Sequence, residues 1–451
     1  MPVPDASPAP DSAPASSRAL VWAAFAVVLG TIWLRPTLPL LAGVDAGCYA
    51  RVAREIAERP LSAWPEITLG GNGFYEHPPQ SFWLESLVFR AMGASVLAAV
   101  TYARLLATAL ALLVFEVARR LAGPRTAAIC MGSLVLLSGF LYESQNPMLE
   151  LPLTVGLGSA ALGALLLERR PFAGSALFAI GFTFAALAKG PPALAAFPVL
   201  AWSGWRRRAR WRDAALAAGA AVVLLAAAVA LFESARAARG LPPFFPRYLG
   251  DQVRRSSLEG REWAAPGEPF YYLGPLWRWH TPLLPAIPLS IWAWRRLRGG
   301  ERLLVELGWV CAAAIVVGFS LPVQKAGWYI HPVMFGGALF MGSGLAALPL
   351  DRRRDRAVAA AAVAAALGAA AVTAWIAARP SSHGDLYALH HLPPPRFAPG
   401  EPNQVSDCGT VVGDWRTEHL LDFLWRVRRV PCEAPAPYRF AGAQLIHQPW
   451  P

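Results

Sequence analysis

Residues 172–212 read FAGSALFAIGFTFAALAKGPPALAAFPVLAWSGWRRRARWR. Two apolar runs meet at Lys189-Gly190-Pro191-Pro192, and the second ends in Arg206, Arg207, Arg208, Arg210 and Arg212. About 20 apolar residues are needed to cross a hydrocarbon core, and a Gly-Pro-Pro sequence reverses the chain sharply. The stretch therefore reads as a membrane hairpin with arginines on one side and a single lysine on the other.

The rest of the chain repeats this pattern. Apolar runs at 19–40, 96–118, 126–142, 149–167, 172–188, 190–204, 214–234, 271–294, 303–321, 328–350 and 357–378 give about eleven expected spans. Over 451 residues, 55% are hydrophobic and 16% charged, with a mean hydropathy of +0.38 and 18 Trp. Soluble domains carry about 25% charged residues, so a cytosolic enzyme and a disordered chain are both excluded. The net charge of +12 does not point to nucleic acid, because the arginines fall between apolar runs rather than on one binding face. The fold class expected is an all-α multi-pass membrane protein.

Charge orients the spans. Arg119, Arg120 and Arg125; Arg169 and Arg170; Arg206 to Arg212; Arg295, Arg296, Arg298 and Arg302; and Arg352, Arg353, Arg354 and Arg356 all lie on one side if the spans alternate. The positive-inside rule makes that side cytoplasmic. It places the N-terminus inside and the C-terminal tail in the periplasm of a bacterial inner membrane. Of 41 basic residues only Lys189 and Lys325 are lysines, and both fall in short loops on the opposite, outer side.

Residues 1–18 read as a disordered Pro-, Ala- and Ser-rich cytoplasmic lead, 19–378 as the membrane domain and 379–451 as a small periplasmic α/β tail. The outer segment 41–95 contains two amphipathic helices, Tyr49 to Glu58 and Ser81 to Met92, of the kind that lie in the interface plane. In the tail, Val411-Val412 and Gln444 to Ile446 read as strands and Thr417 to Val427 as a helix. Cys408 and Cys432 close a 25-residue loop there, a disulfide candidate in an oxidising compartment.

Ionisable groups at membrane boundaries are costly and mark function. Asp45, Glu76, His77, Glu150, Lys189, Arg254, Arg255 and Lys325 all project to the outer boundary. Plainer roles exist for several. Asp45 suits a helix N-cap, Glu150 a helix-dipole partner, and the lysines could snorkel. Together they suit chemistry on an anionic lipid headgroup: cations hold phosphate and a carboxylate serves as general base on a hydroxyl acceptor. A glycosyl phosphate carries its own leaving group, so one base suffices for an inverting displacement, whereas a glycosidase needs an acid as well.

These motifs resemble the polyprenyl-phosphate-sugar-dependent glycosyltransferases of the GT-C fold, in the family of protein O-mannosyltransferases and lipid A aminoarabinose transferases. Asp45 and Tyr49 match the acid and Tyr of the family's first outer loop. Glu76-His77-Pro78-Pro79 with Trp83 matches its Glu/Asp-Lys-Pro-Pro motif, with His77 in place of Lys. Arg104, the carboxylate of Glu150 (usually Asp), Leu187-Ala188-Lys189-Gly190-Pro191, Arg255 with Tyr271-Tyr272, and Ser320, Lys325, Tyr329 and Pro332 follow in order.

The resemblance implies that Asp45 is catalytic and that Tyr49, Glu76, His77, Glu150, Lys189, Arg255, Lys325 and Tyr329 bind substrate. The substrates implied are a polyprenyl-phosphate-sugar donor and a lipid, glycan or protein acceptor at the bilayer, with no nucleic acid. A divalent metal is the one cofactor it brings into view, with no ligands assigned; Pro266 stands near the position where some members place a histidine of a metal site. A polyprenyl-diphosphate-dependent glycan ligase and a lipid-linked-sugar flippase are the competing readings. The flippase is disfavoured because transporters place their charges at mid-membrane and carry internal repeats.

Overall fold

The computed structural model describes residues 15–37, 41, 45–206, 210–259, 268, 270–348, 395–396, 401–407, 415–431, 436–441 and 444–447. The expected span 357–378, the Val411-Val412 strand and the Cys408–Cys432 pair lie outside them.

The chain is mainly helical. In order come α1 (Ala15–Trp33), α2 (Ala46–Glu58), α3 (Gln80–Met92), α4 (Val96–Ser133), α5 (Ser138–Glu143), α6 (Glu150–Leu166), α7 (Pro171–Lys189), α8 (Ala196–Arg206) and α9 (Trp211–Ala237). They are followed by a single turn, α10 (Phe245–Arg247), a π-helix (Tyr248–Glu259), α11 (Leu273–His280), α12 (Leu283–Arg296), α13 (Gly299–Ser320) and α14 (Val333–Ala346). Among the described residues, four helical stretches are long and apolar enough to cross a membrane: Val96–Leu136, Pro171–Lys189, Trp211–Ala237 and Gly299–Ser320. Shorter apolar helices cover Arg18–Trp33, Glu150–Leu166 and Val333–Ala346.

Several expected elements are shaped differently from single rods. The runs at 96–118 and 126–142 join in α4, which breaks where Gly123 takes φ +82° and Pro124 follows. The second run then continues through a 3-10 turn at Leu134–Leu136 into α5. The run at 271–294 is two helices, because Pro282 ends the first and opens the second. The two interfacial helices are α2 and α3, each starting within three residues of its expected position.

The tightest packing is between α6 and α7. A Cβ on Gly156 would come within 2.7 Å of the Ala185 backbone nitrogen, and one on Gly174 equally close to that of Leu167. Small residues let membrane helices approach to backbone contact, and here they bind the two helices along their whole length. By contrast, α9 leaves Val222, Val223 and Leu231 exposed, the surface expected of a lipid-facing helix.

Between α2 and α3 a short hairpin pairs β1 (Thr68–Leu69) with β2 (Asn72–Gly73). Among the described residues of the tail four strands form one sheet in the order β4-β3-β5-β6: β3 (Gln404–Asp407), β4 (Arg428–Pro431), β5 (Tyr438–Ala441) and β6 (Gln444–His447). Strands β3 and β4 run parallel, which requires a crossover. It contains helix α15 (Trp415–Trp425). This helix packs on α2 and α3: Asp422 pairs with both Arg51, at 2.8 Å, and Arg54 of α2, and Phe423 lies against Phe89 of α3.

Candidate active site

The site is built on helix ends. Glu150 opens α6 and Lys189 closes α7, where a carboxylate and an ammonium respectively complement the helix dipoles. Antiparallel packing brings these ends together, and Lys189 Nζ pairs with Glu150 Oε1. Lys189 is 7% exposed and Glu150 1%, so the pair is shielded from solvent screening. Gly190 ends α7 with φ +77°, and Tyr248 packs so closely over it that no Cβ fits. The Tyr248 hydroxyl donates to the Lys189 carbonyl at 3.4 Å.

The Lys189 ammonium also lies 4.2 Å from the centre of the Tyr329 ring, a cation–π contact. It faces a cavity of about 520 Å³ with a mostly apolar lining. His77, Lys189, Tyr248, Gln252, Ser256, Ser257, Gln324 and Tyr329 are its polar members. Leu194, Ala195 and Pro198, together with Ala314, Ile315, Val317, Gly318, Phe319 and Leu321 of α13 and its end, supply much of the apolar surface. An ammonium at a largely apolar cavity suits a lipid that carries an anionic group.

Asp45 is linked to this cavity through two side chains. It precedes α2, and the Tyr49 hydroxyl, one turn on, lies 3.4 Å from Asp45 Oδ2 and 3.0 Å from His77 Nε2. With the Nε2 tautomer, His77 donates to the Tyr49 oxygen and Tyr49 donates to Asp45. Burial, reinforced by Asp45 and Glu150, holds the Tyr49 phenol well above its ordinary range, so it stays protonated. Asp45 and the exposed Glu76 both bear on the buried Cys48 thiol, which burial together with these acids pushes up. Asp45 and Glu76 thus both lie near Cys48.

The structure therefore gathers Tyr49, His77, Glu150, Lys189 and Tyr329, with Asp45 one link away and Glu76 exposed beside His77 in the chain. Two expected phosphate ligands are placed elsewhere. Lys325, 4% exposed, donates to the carbonyls of Ser320 at 3.0 Å and Pro322 at 2.7 Å. It ties the end of α13 and braces the cavity wall, because helix-end carbonyls need donors. Arg255 is exposed on the π-helix, whose Gln252, Ser256 and Ser257 line the cavity instead. Arg104 donates to the Arg35 carbonyl and to Thr37, holding the chain as it leaves α1. Among the described residues no group of three or more His, Cys, Asp or Glu side chains is placed to hold a metal ion.

One cluster escapes sequence reasoning. Glu143 Oε1 lies 2.5 Å from His331 Nδ1, both side chains fully buried, and the His280 ring stands edge-on to His331. The pair is 188 residues apart in sequence. His331 follows Tyr329 closely and precedes Pro332, and that proximity to a site motif is the one signal it carries.

No family model matches the sequence. The undecaprenyl phosphate-alpha-4-amino-4-deoxy-L-arabinose arabinosyl transferase of Edwardsiella ictaluri is 30% identical over 338 residues, which cover 71% of this chain. The match spans 58% of that relative's length. Among solved structures, ArnT from Cupriavidus metallidurans bound to undecaprenyl phosphate superposes with a TM-score of 0.68 at 18% identity, over 92% of this chain and 85% of that one. The oligosaccharyltransferase of Archaeoglobus fulgidus in its apo form gives 0.53 at 14%, over 93% and 64%. The chain is thus a sequence relative of an aminoarabinose transferase and shares the GT-C membrane fold of ArnT.

Proposed function

We propose that this protein is an inverting glycosyltransferase of the bacterial inner membrane. It takes a sugar from a polyprenyl-phosphate donor and passes it to a lipid, glycan or protein hydroxyl or phosphate on the periplasmic side. The observation that carries this reading is the cavity itself, in which the Lys189 ammonium meets a largely apolar lining. The prenyl chain lies in the cavity between Leu194 and Ile315, and the phosphate meets Lys189. Among the described lining residues Lys189 is the one permanent cation, which favours a monophosphate over a diphosphate donor.

In the transfer step the acceptor oxygen attacks the anomeric carbon, and Asp45 takes its proton. The bond from that carbon to the phosphate oxygen breaks, and the phosphate leaves with the electron pair. Lys189 offsets the charge that develops there, supported by Tyr329 beneath it and His77 across the cavity. Glu150 holds Lys189 in place until the donor arrives, and the exposed Glu76 meets the sugar or acceptor. Positioning and charge stabilisation supply most of the acceleration in such a site.

The test is transfer by the purified full chain in lipid nanodiscs, supplied with polyprenyl monophosphate or diphosphate sugars. Turnover with monophosphate donors is expected; turnover with diphosphate donors alone would establish the ligase reading instead. Mass spectrometry of envelope lipids, glycans and proteins after deletion of the protein names sugar and acceptor.

A further inference from the structure

Behind the Lys189–Glu150 pair lies a second buried carboxylate. Glu143, at the end of α5, meets His331 Nδ1 at 2.5 Å. Its other oxygen, Oε2, has no hydrogen-bond partner among the described residues, and neither has Glu150 Oε2. Tyr329, over which Lys189 sits, is only two residues before His331. One ammonium therefore serves a region holding two fully buried carboxyl groups, and buried charges must be compensated. The charged and titratable groups around Glu143 are Glu150 of α6, Lys189 of α7, His280 of α11 and His331, with Tyr142 beside it in α5 and Arg35 bonded to the Leu141 carbonyl.

We propose, resting on the donor site described above, that Glu143 is a positioning residue for the donor phosphate. By holding one proton in common with His331 the pair stays neutral, so Lys189 answers to Glu150 alone and can exchange it for phosphate. Burial, and then the charge of Glu150, push the Glu143 carboxyl well above the usual carboxylate range, in keeping with a retained proton. When rising pH removes that proton, Lys189 faces two carboxylates, and a third anion, the donor phosphate, is held less well. His280, with both ring nitrogens unpartnered among the described residues, closes the far side of the pair and supplies no permanent charge.

The experiment is binding of undecaprenyl phosphate to the full chain in nanodiscs across neutral to alkaline pH, for the unaltered protein, Glu143→Gln and His331→Gln. The second ionisation of a phosphate monoester lies at about 6, so the ligand itself is fully charged throughout. The unaltered protein is expected to lose affinity with a one-proton slope approaching about tenfold per pH unit. Glu143→Gln, neutral at every pH, is expected to lack that slope. Thermal unfolding checks that the variant is folded. If it does not accumulate, His331→Gln decides, since it cannot hold the shared proton and must displace the slope.

An alkaline slope identical in the variants, or none in the unaltered protein, would overturn the inference and leave the donor site standing. Absence of undecaprenyl phosphate binding at every pH would overturn both, and is thereby distinguished.

Discussion

Lys189 and Glu150 form a buried ion pair that closes the open end of the α6–α7 hairpin, each at the helix end whose dipole favours it. Removing one partner of such a pair leaves the other charged in a dry site and costs about 3–5 kcal/mol. Lys189→Met is therefore expected to lower stability by that order and to abolish binding of polyprenyl phosphate. The double variant with Glu150→Gln recovers most of the stability and none of the binding. Unfolding and lipid-binding measurements on the four proteins separate the two roles, and recovered binding in the double variant would sink the phosphate assignment.

Asp45 is not among the residues that line the cavity and is linked to it through Tyr49 and His77, as suits a group that acts on the acceptor rather than the donor phosphate. Asp45→Asn keeps the shape and removes the base. Transfer should fall by about 10²–10⁴-fold, the usual contribution of a general base, with polyprenyl phosphate affinity unchanged. Full turnover in this variant would remove Asp45 from the chemistry.

Gly318 lines the cavity, and a Cβ there would meet nothing within 4 Å. Gly318→Phe fills the cavity without disturbing α13. Long-chain donors should bind about tenfold more weakly, equivalent to about 1.4 kcal/mol, while a donor with a short prenyl chain is little affected. Equal losses for both chain lengths would place the hydrocarbon elsewhere.

The tail reaches the site through α2. Asp422 sits between Arg51 and Arg54, two residues of the helix that Asp45 precedes. Asp422→Ala removes the carboxylate that Arg51 and Arg54 share, leaving Arg51 with His419 and Glu55 and Arg54 with Glu58 and two backbone carbonyls. It should cost about 1.5–3 kcal/mol. Faster hydrogen exchange in α2 and α15, together with slower turnover, is the expected result. Unchanged turnover would show that the tail does not brace α2.

Glu85, on α3, is 1% exposed and its Oε1 has no partner among the described residues; burial raises its carboxyl well above the ordinary value. The folded value lies above the unfolded one, so this group favours the folded state most at acidic pH. That contribution is lost as pH climbs from the ordinary carboxylate range through the raised value. Thermal unfolding temperatures should fall with pH over this window in the unaltered protein, and the fall should be smaller in Glu85→Gln. Parallel curves would assign the pH dependence to another group.

Much of the architecture is legible in the sequence because a bilayer imposes simple rules. Runs of apolar length, arginines on alternate loops and amphipathic stretches at α2 and α3 suffice to locate the helices. Internal breaks are harder to see, since Gly123-Pro124 and Pro282 sit within apolar surroundings and hydropathy is blind to backbone angles. At the site, Glu150, Lys189 and Tyr329 are visible as scarce polar groups at run ends, and the fold brings them together. Lys325 is equally scarce, yet its ammonium is taken up by the carbonyls that α13 leaves unpaired. Glu143 and His331 escape because their meaning lies wholly in a contact across 188 positions of sequence.

The glycine seam between α6 and α7 has a bearing on how a substrate gets in. Two helices interlocked at backbone distance along Gly156, Gly163, Gly174 and Gly181 have no slack to part, so this flank acts as a fixed wall. Access to the donor site proposed above then falls to the cavity's other lining elements, the turn at Pro191–Ala195, Pro198 of α8 and the end of α13. On that proposal a long isoprenoid slides in sideways with its tail still dissolved in neighbouring acyl chains, and only the headgroup needs to change its surroundings.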